Sequence, residues 1–215
     1  QRQMCIRDSC HRNRHYANEV KLDSSFKSPY NIIPESVSVK GSVVKGIVVK
    51  ESPHISARVE FPFEIDVIGD SFHFKLDENR EPHQQIVNHR RYNETSKWAF
   101  AEGVEINKDA KFDKSKSSID VSYGNNKVSI QFNPVKLSFF YKNKEVLVIN
   151  DKQFLNIEPY RLEEHNGDHL LPQESSFNMF SDDFADSKND KLPLGPESIG
   201  LDFSLKGFNN FYGIP

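Results

Sequence analysis

From Ile55 to Val67 apolar and polar positions alternate strictly. Ile55, Ala57, Val59, Phe61, Phe63, Ile65 and Val67 share one parity, and Ser56, Arg58, Glu60, Pro62, Glu64 and Asp66 share the other. Alternation of this length predicts a long antiparallel strand with one buried and one wet face. Pro62 has no N–H for a ladder, so an edge or a bulge is expected there. Gly69-Asp70 then turns the chain into Phe72, Phe74 and Leu76, which read as a hairpin partner. Upstream, Val37, Val39, Val43, Val44, Ile47, Val48 and Val49 form a β-branched stretch interrupted by Gly41 and Gly46, which predicts two short strands or one bulged strand.

Two further hairpins follow. Ile119, Val121 and Tyr123 alternate up to Gly124-Asn125-Asn126, and Val128, Ile130 and Phe132 alternate away from it. Asn133-Pro134 ends that run. Val135, Leu137, Phe139 and Tyr141 lead to a turn around Lys142-Asn143-Lys144 and a return through Val146 and Val148, and Phe154–Arg161 is the last strand-like piece before the pattern fades. About eight to ten strands without alternating helices predict an all-β antiparallel sandwich.

The remaining segments are less patterned. Cys10–Asn18 is basic and aperiodic and reads as a solvated leader, and Leu22–Pro34 as an extended lead-in, with Pro29 and Pro34 opposing a helix. A short helix is expected over Pro82–Arg91. Trp98 and Phe100 are expected to anchor the following loop to the core. The run Ser181–Asp186 is rich in carboxylates, but Ser187 and Pro193 stand where a calcium loop starting at Asp182 needs its Gly and its bidentate Glu, so an acidic linker is expected.

The balance of 28 Lys+Arg against 31 Asp+Glu over 215 residues leaves a net charge of -3, with no basic footprint for nucleic acid. No apolar run reaches the roughly 20 residues that span a bilayer, so no membrane insertion is expected. A mean hydropathy of -0.65 fits one core with long polar loops. The two cysteines, Cys5 and Cys10, can close only a local loop, and free thiols and a disulfide are equally open readings. Residues 1–9, QRQMCIRDS, resemble translated library-adaptor sequence and are expected to be a non-native leader, which puts Cys5 in question.

Catalytic patterns are missing. There is no Gly-x-Ser-x-Gly elbow, phosphate-binding glycine loop, Cys-x-x-Cys or His-Glu-x-x-His. The eight histidines show no ligand spacing, so neither metal nor cofactor is expected, and the adjacent Glu163-Glu164 would point apart on an extended chain. Asn93-Glu94-Thr95 is an N-glycosylation acceptor pattern in a polar loop.

The stretch Gly195–Pro215, GPESIGLDFSLKGFNNFYGIP, joins Gly and Pro punctuation to Phe203, Phe208, Phe211 and Tyr212, aromatics that need a surface to pack on. It resembles the segment leading out of the N-terminal domain of the endoplasmic-reticulum α-glucosidases of glycoside hydrolase family 31. CHRNRHYA, ARVEFPFEIDV, VSIQFNPVKLSFFYKNKEVLVIN and FLNIEPYR agree in order and approximate spacing, so the resemblance covers nearly everything from Cys10 to Pro215.

The resemblance implies a galactose-mutarotase-like β-sandwich packed on a (β/α)8 barrel. The implied divisions are a 10–34 extension, a 35–162 sandwich, a 163–194 variable acidic linker, and a 195–215 junction leading toward the barrel. Both catalytic aspartates of the family lie on that barrel, so no catalytic residue is expected in this chain. The implied parent activity is retaining hydrolysis of α1,3-linked glucose from N-glycans in the endoplasmic-reticulum lumen, with a non-catalytic β-subunit as partner. Phe211 and Tyr212 become candidates for the substrate rim, with junction packing as their alternative role. Asn93 gains meaning as a glycosylation site, and Cys10 is implied to pair upstream, where Cys5 stands. A stand-alone carbohydrate-binding sandwich with Trp98 and Tyr212 as stacking residues is the alternative. A sugar mutarotase, which needs a His and a carboxylate converging on the sugar, is a third reading, and no such pair is evident.

Overall fold

The alternating run is the spine of the structure. A computed structural model of the chain describes residues 13–51, 59–78, 100, 103–157 and 199–207. In it β4, Val59–Ile68, lies between β3, Val43–Lys50, and β5, Ser71–Leu76, with β1, Tyr30–Ile32, on the far side of β3. The short β2, Ser38–Lys40, also pairs with β3 through the turn at Gly41, whose φ is 62°.

The second sheet has the order β13-β10-β9-β8-β7-β6. Its strands are β6, Lys111–Lys114; β7, Ser118–Tyr123; β8, Asn126–Gln131; β9, Lys136–Tyr141; β10, Lys144–Ile149; and β13, Phe203–Leu205. A two-stranded piece pairs β11, Asn156–Ile157, with β12, Ile199–Gly200. All pairings are antiparallel.

Turn chemistry sets the register as the sequence predicts. Gly69 and Gly124 take positive φ (57° and 56°) in the two-residue turns between β4 and β5 and between β7 and β8. Lys142 and Asn143, at 49° and 62°, make the turn between β9 and β10. Register in turn decides which side chains enter the core. Phe61, Phe63, Ile65 and Val67 of the first sheet meet Ile119, Val121, Val128 and Ile130 of the second, and all eight are 0–1% exposed. Full burial of each such side chain contributes about 1.5–3 kcal/mol. Phe72 against Phe139, 6.1 Å between ring centroids, adds a contact between the sheets. Lys114 Nζ ties them at one end by donating to the carbonyls of Pro34 and Val37, both at 2.8 Å.

Three expectations change. The solvated leader is instead helical over residues 13–22, because Tyr16 and Val20, one turn apart, are buried at 5% and 8%. Tyr16 also stands edge-on to Phe26. We call this helix α1.

Pro62 lies on an inner strand, neither at a sheet edge nor at a bulge. Its carbonyl accepts from Asp77 N–H just past the last β5 pair, Phe63 with Leu76, so its missing N–H falls beyond that ladder. On the other side it faces Ile47, whose N–H and carbonyl are taken by Ser36 and Ile33. The site therefore forgoes only the reciprocal bond to Asp77 O, just beyond the β4–β5 ladder.

The sandwich also draws in residues on both sides of the range 35–162 expected for it, through β1 and through β12 and β13. The helix expected at Pro82–Arg91 lies outside the described residues.

Gly46 shows how tight the core is. A Cβ there would lie 2.5 and 2.7 Å from two ring carbons of Phe63, its cross-strand partner, and 3.2 Å from Val37. Gly46→Ala should destabilise the protein by about 1–3 kcal/mol in denaturant unfolding. Adding Phe63→Leu should recover part of that loss, and a neutral Gly46→Ala would contradict the close approach.

Candidate functional site

The stretch that carries the family resemblance contributes to a buried polar cluster around Asn150. β10 ends at Ile149, and the chain must then reverse toward β11. Asn150 adopts φ 61°, a left-handed conformation that Asn tolerates better than most residues, and Gln153 matches it at 61°. Asn150 is 2% exposed, and both ends of its side-chain amide and its backbone N–H are engaged. Its Nδ2 donates to Val135 O at 2.6 Å, its Oδ1 accepts from Leu155 N–H at 2.8 Å, and its N–H donates to Asp202 O at 2.9 Å.

Asp202 completes the cluster from the other end of the chain. One carboxylate oxygen accepts from Lys152 N–H at 2.9 Å, and the other from Phe154 N–H at 3.1 Å. A carboxylate that accepts backbone N–H groups of a loop fixes that loop as a cap fixes a helix end. The final described strand and the β10–β11 loop are thereby clamped as one unit. Gly200 allows α1 to close over it, since a Cβ there would lie 2.7 Å from Asn13 Oδ1 and 3.4 Å from Phe154 O.

Lys206 extends the clamp by donating to Asp151 Oδ2 at 2.9 Å. That bond holds the Asp151 carboxyl below the usual carboxylate range and pushes the Lys206 ammonium up. Chemically the cluster is a positioning device. Its groups are engaged with the protein backbone and with one another.

A second polar feature lies on the outer face of the first sheet. The two-residue turn at Gly69-Asp70 puts Asp66 opposite His73, and His73 Nδ1 lies 3.2 and 3.3 Å from the two carboxylate oxygens. This is the kind of His–carboxylate pair that the mutarotase reading lacked. The register signal was present in the sequence, because the turn fixes every pair up the hairpin. The pair does not converge on an open site, however, since Asp66 is 5% exposed and both its oxygens face the imidazole.

Phe100 stands edge-on to His73, with 4.9 Å between centroids, and remains 38% exposed. It packs on this pair, which corrects the expectation that it anchors the loop in the core. Among the described residues no three His, Cys, Asp or Glu side chains are grouped to hold a metal ion. Phe211, Tyr212, Asn93, Cys5, Cys10 and Trp98 lie outside the described residues. Asn150 and Asp202 were not singled out in the sequence. Nothing local to Asp202 shows that its partners lie 48 and 50 residues earlier.

A profile of the glycosyl hydrolase 31 N-terminal galactose mutarotase-like domain matches residues 62–215. The chain belongs to that family. It is 33% identical to glucosidase 2 subunit alpha of Saccharomyces cerevisiae, over 96% of this chain and 25% of that protein. It is 28% identical to the Schizosaccharomyces pombe protein of the same name, over 95% and 23%. A crystal structure of glucosidase II alpha subunit with alpha3-Glc2 bound superposes with TM-score 0.77 at 29% identity, covering 98% of this chain and 24% of that one. The catalytic subunit in a heterodimeric complex with the binding domain of its regulatory subunit does so at 0.76 and 29%. The antiparallel sandwich is thus the galactose-mutarotase-like domain of the family. The chain spans about a quarter of the length of these relatives. No described helix is long and apolar enough to cross a membrane.

The clamp is open to test by removing its carboxylate. Asp202→Ala should cost about 2 kcal/mol in denaturant unfolding, and Asp202→Asn, which keeps one acceptor oxygen, should cost less. The depressed Asp151 carboxyl stabilises the fold above the unfolded carboxylate value near pH 4, and this support fades as pH falls through its lower folded value. Asp151→Asn should therefore flatten the acid limb of a stability-versus-pH curve below about pH 4. An unchanged acid limb would remove Lys206 from the account.

Proposed function

We propose that this chain is the N-terminal, non-catalytic part of an endoplasmic-reticulum α-glucosidase that removes α1,3-linked glucose from N-glycans. The observation that carries this reading is the likeness to glucosidase II alpha subunit over 98% of the chain, including a structure with alpha3-Glc2 bound. Retaining hydrolysis would be performed by two aspartates on a (β/α)8 barrel that follows this domain. The sandwich would hold that barrel and place the segment after Gly207 at its mouth, with the Asp202 clamp fixing where that segment departs.

In this reading Phe211 and Tyr212 contribute to the substrate rim, residues 163–194 form a variable linker, and 195–215 is the junction. Asn93 carries a glycan, and Cys10 forms a bridge with an upstream cysteine, Cys5 in the present sequence. Both modifications suit an oxidising, luminal compartment. The partner is a non-catalytic regulatory subunit, as in the heterodimeric relative.

The test compares the 215-residue chain with the full-length protein on an α1,3-linked glucose disaccharide. Glucose release is expected from the full-length protein alone. Turnover by the short chain would place catalytic groups inside it, and an inactive full-length protein would remove the α-glucosidase assignment.

A further inference from the structure

Helix α1 lies outside the core that joins the two sheets. Tyr16 and Val20 bury its inner face, but neither belongs to the buried cluster of the sandwich. Phe26 closes the patch edge-on to Tyr16, with 6.2 Å between ring centroids. A helix over residues 13–22 is also too short to persist alone, because isolated helices below about 12–15 residues are marginal in water. It is therefore either docked or unfolded.

The surface it docks on is the junction of β11 and β12. Asn13 Oδ1 lies a long hydrogen bond, 3.5 Å, from Asn156 Nδ2, and the same oxygen stands 2.7 Å from where a Cβ on Gly200 would be. Asn13 thus touches both strands of the pair, since Asn156 faces Gly200 and Ile157 faces Ile199. At the other end of the helix, Lys21 Nζ lies 5.4 Å from the centre of the Phe154 ring. The chain just after the helix continues the contact. Ser28 N–H donates to Gln153 Oε1 at 3.2 Å, and the Tyr30 hydroxyl accepts from Ile157 N–H at 2.7 Å. Burial pushes the Tyr16 phenol above its usual range and Tyr30 adds to that push, so the two phenols share one buried neighbourhood.

The β11–β12 pair needs such support. Each strand is two residues long, and the pair closes a loop through residues 158–198, so the entropy of closing that loop opposes a very short ladder. The Asp202 clamp holds the chain just after the pair, whereas α1 reaches the pair itself.

We propose that α1 is a strap that locks the β11–β12 pair and opens as a unit of its own while the sandwich stays folded. No strand lies between α1 and β1, so release of the helix breaks no sheet pairing. Its small buried patch, separate from the main core, places it among the elements that open before the global fold does. The strap makes the junction answer to the N-terminal segment. Whatever frees α1, such as cleavage after Lys21, loosens both ends of the 158–198 segment together. The inference does not depend on the α-glucosidase reading.

Hydrogen exchange of the full-length protein tests this, followed in peptides covering Tyr16–Lys21, Leu155–Ile157 and Ile119–Val121. Tyr16→Ala should speed exchange by at least about tenfold in the first two and leave the third unchanged. Faster exchange in all three would make α1 part of the global core. Faster exchange in the first alone would unlink the helix from the junction, and no change at all would mean that its buried face does not hold it. Each of these results overturns the proposal.

Gly200→Leu, which sets a side chain where Asn13 stands, should free the helix from the opposite side. Trypsin cleavage after Lys21 should then speed by about tenfold or more, with exchange in Ile119–Val121 unchanged. Val39→Ser, at a 41% exposed position on β2, should alter neither readout. Undiminished resistance after Lys21 in Gly200→Leu, acceleration in Ile119–Val121, or an equal response from Val39→Ser would also overturn it.

Discussion

Everything in this fold depends on the dry contact between β4 and the β7–β8 hairpin. Phe61, Phe63, Ile65 and Val67 can be buried together only if Ile119, Val121, Val128 and Ile130 face them in register. A slip of one residue in either hairpin would turn the whole apolar set to water. The glycine turns at Gly69 and Gly124 are therefore part of the core's specification even though they lie at the surface. Gly46 shows the same constraint from inside, since the ring of Phe63 occupies the space a side chain would need.

The core explains the stability of the sandwich, and the polar clamp at its end explains its geometry. Asn150, Asp202 and the Lys206–Asp151 pair join a loop after β10 to a strand about fifty residues later. The cluster gains its value from direction, because a carboxylate that accepts two backbone N–H groups leaves little freedom to the strand that carries it. The last described strand is consequently held in a fixed place against the sandwich. In the role proposed for it, supporting a neighbouring active site, the domain would need this property more than reactive groups of its own.

The strands and hairpins were legible because the side-chain period, the β-branched and aromatic content and the turn residues all pointed to the same element. Helix α1 was not legible, since Tyr16 and Val20 alone do not make a periodic face and only the surface they cover makes the helix worthwhile. Pro62 misled for a related reason. Its cost depends on which side its missing N–H would face, and that is settled by where β5 ends. Asp66 and His73 could have been paired from the turn at Gly69-Asp70, whereas the contact of Phe100 with His73 depends on a loop whose path has no sequence signature. The family resemblance was legible in the GLDFSLKG stretch, but the tasks of its residues were not, because Gly200 answers to α1 and Asp202 to a distant loop.

By itself, then, the sequence determined the fold class, the inward faces of the hairpins and the family, because period, turn chemistry and a run of specific residues are local properties of the chain. Only the tertiary structure decided that the Asn150–Asp202 clamp exists, that α1 closes over Gly200 and that Asp66 is taken up by His73. Each of these depends on what lies across a gap in space, and no spacing along the chain records it.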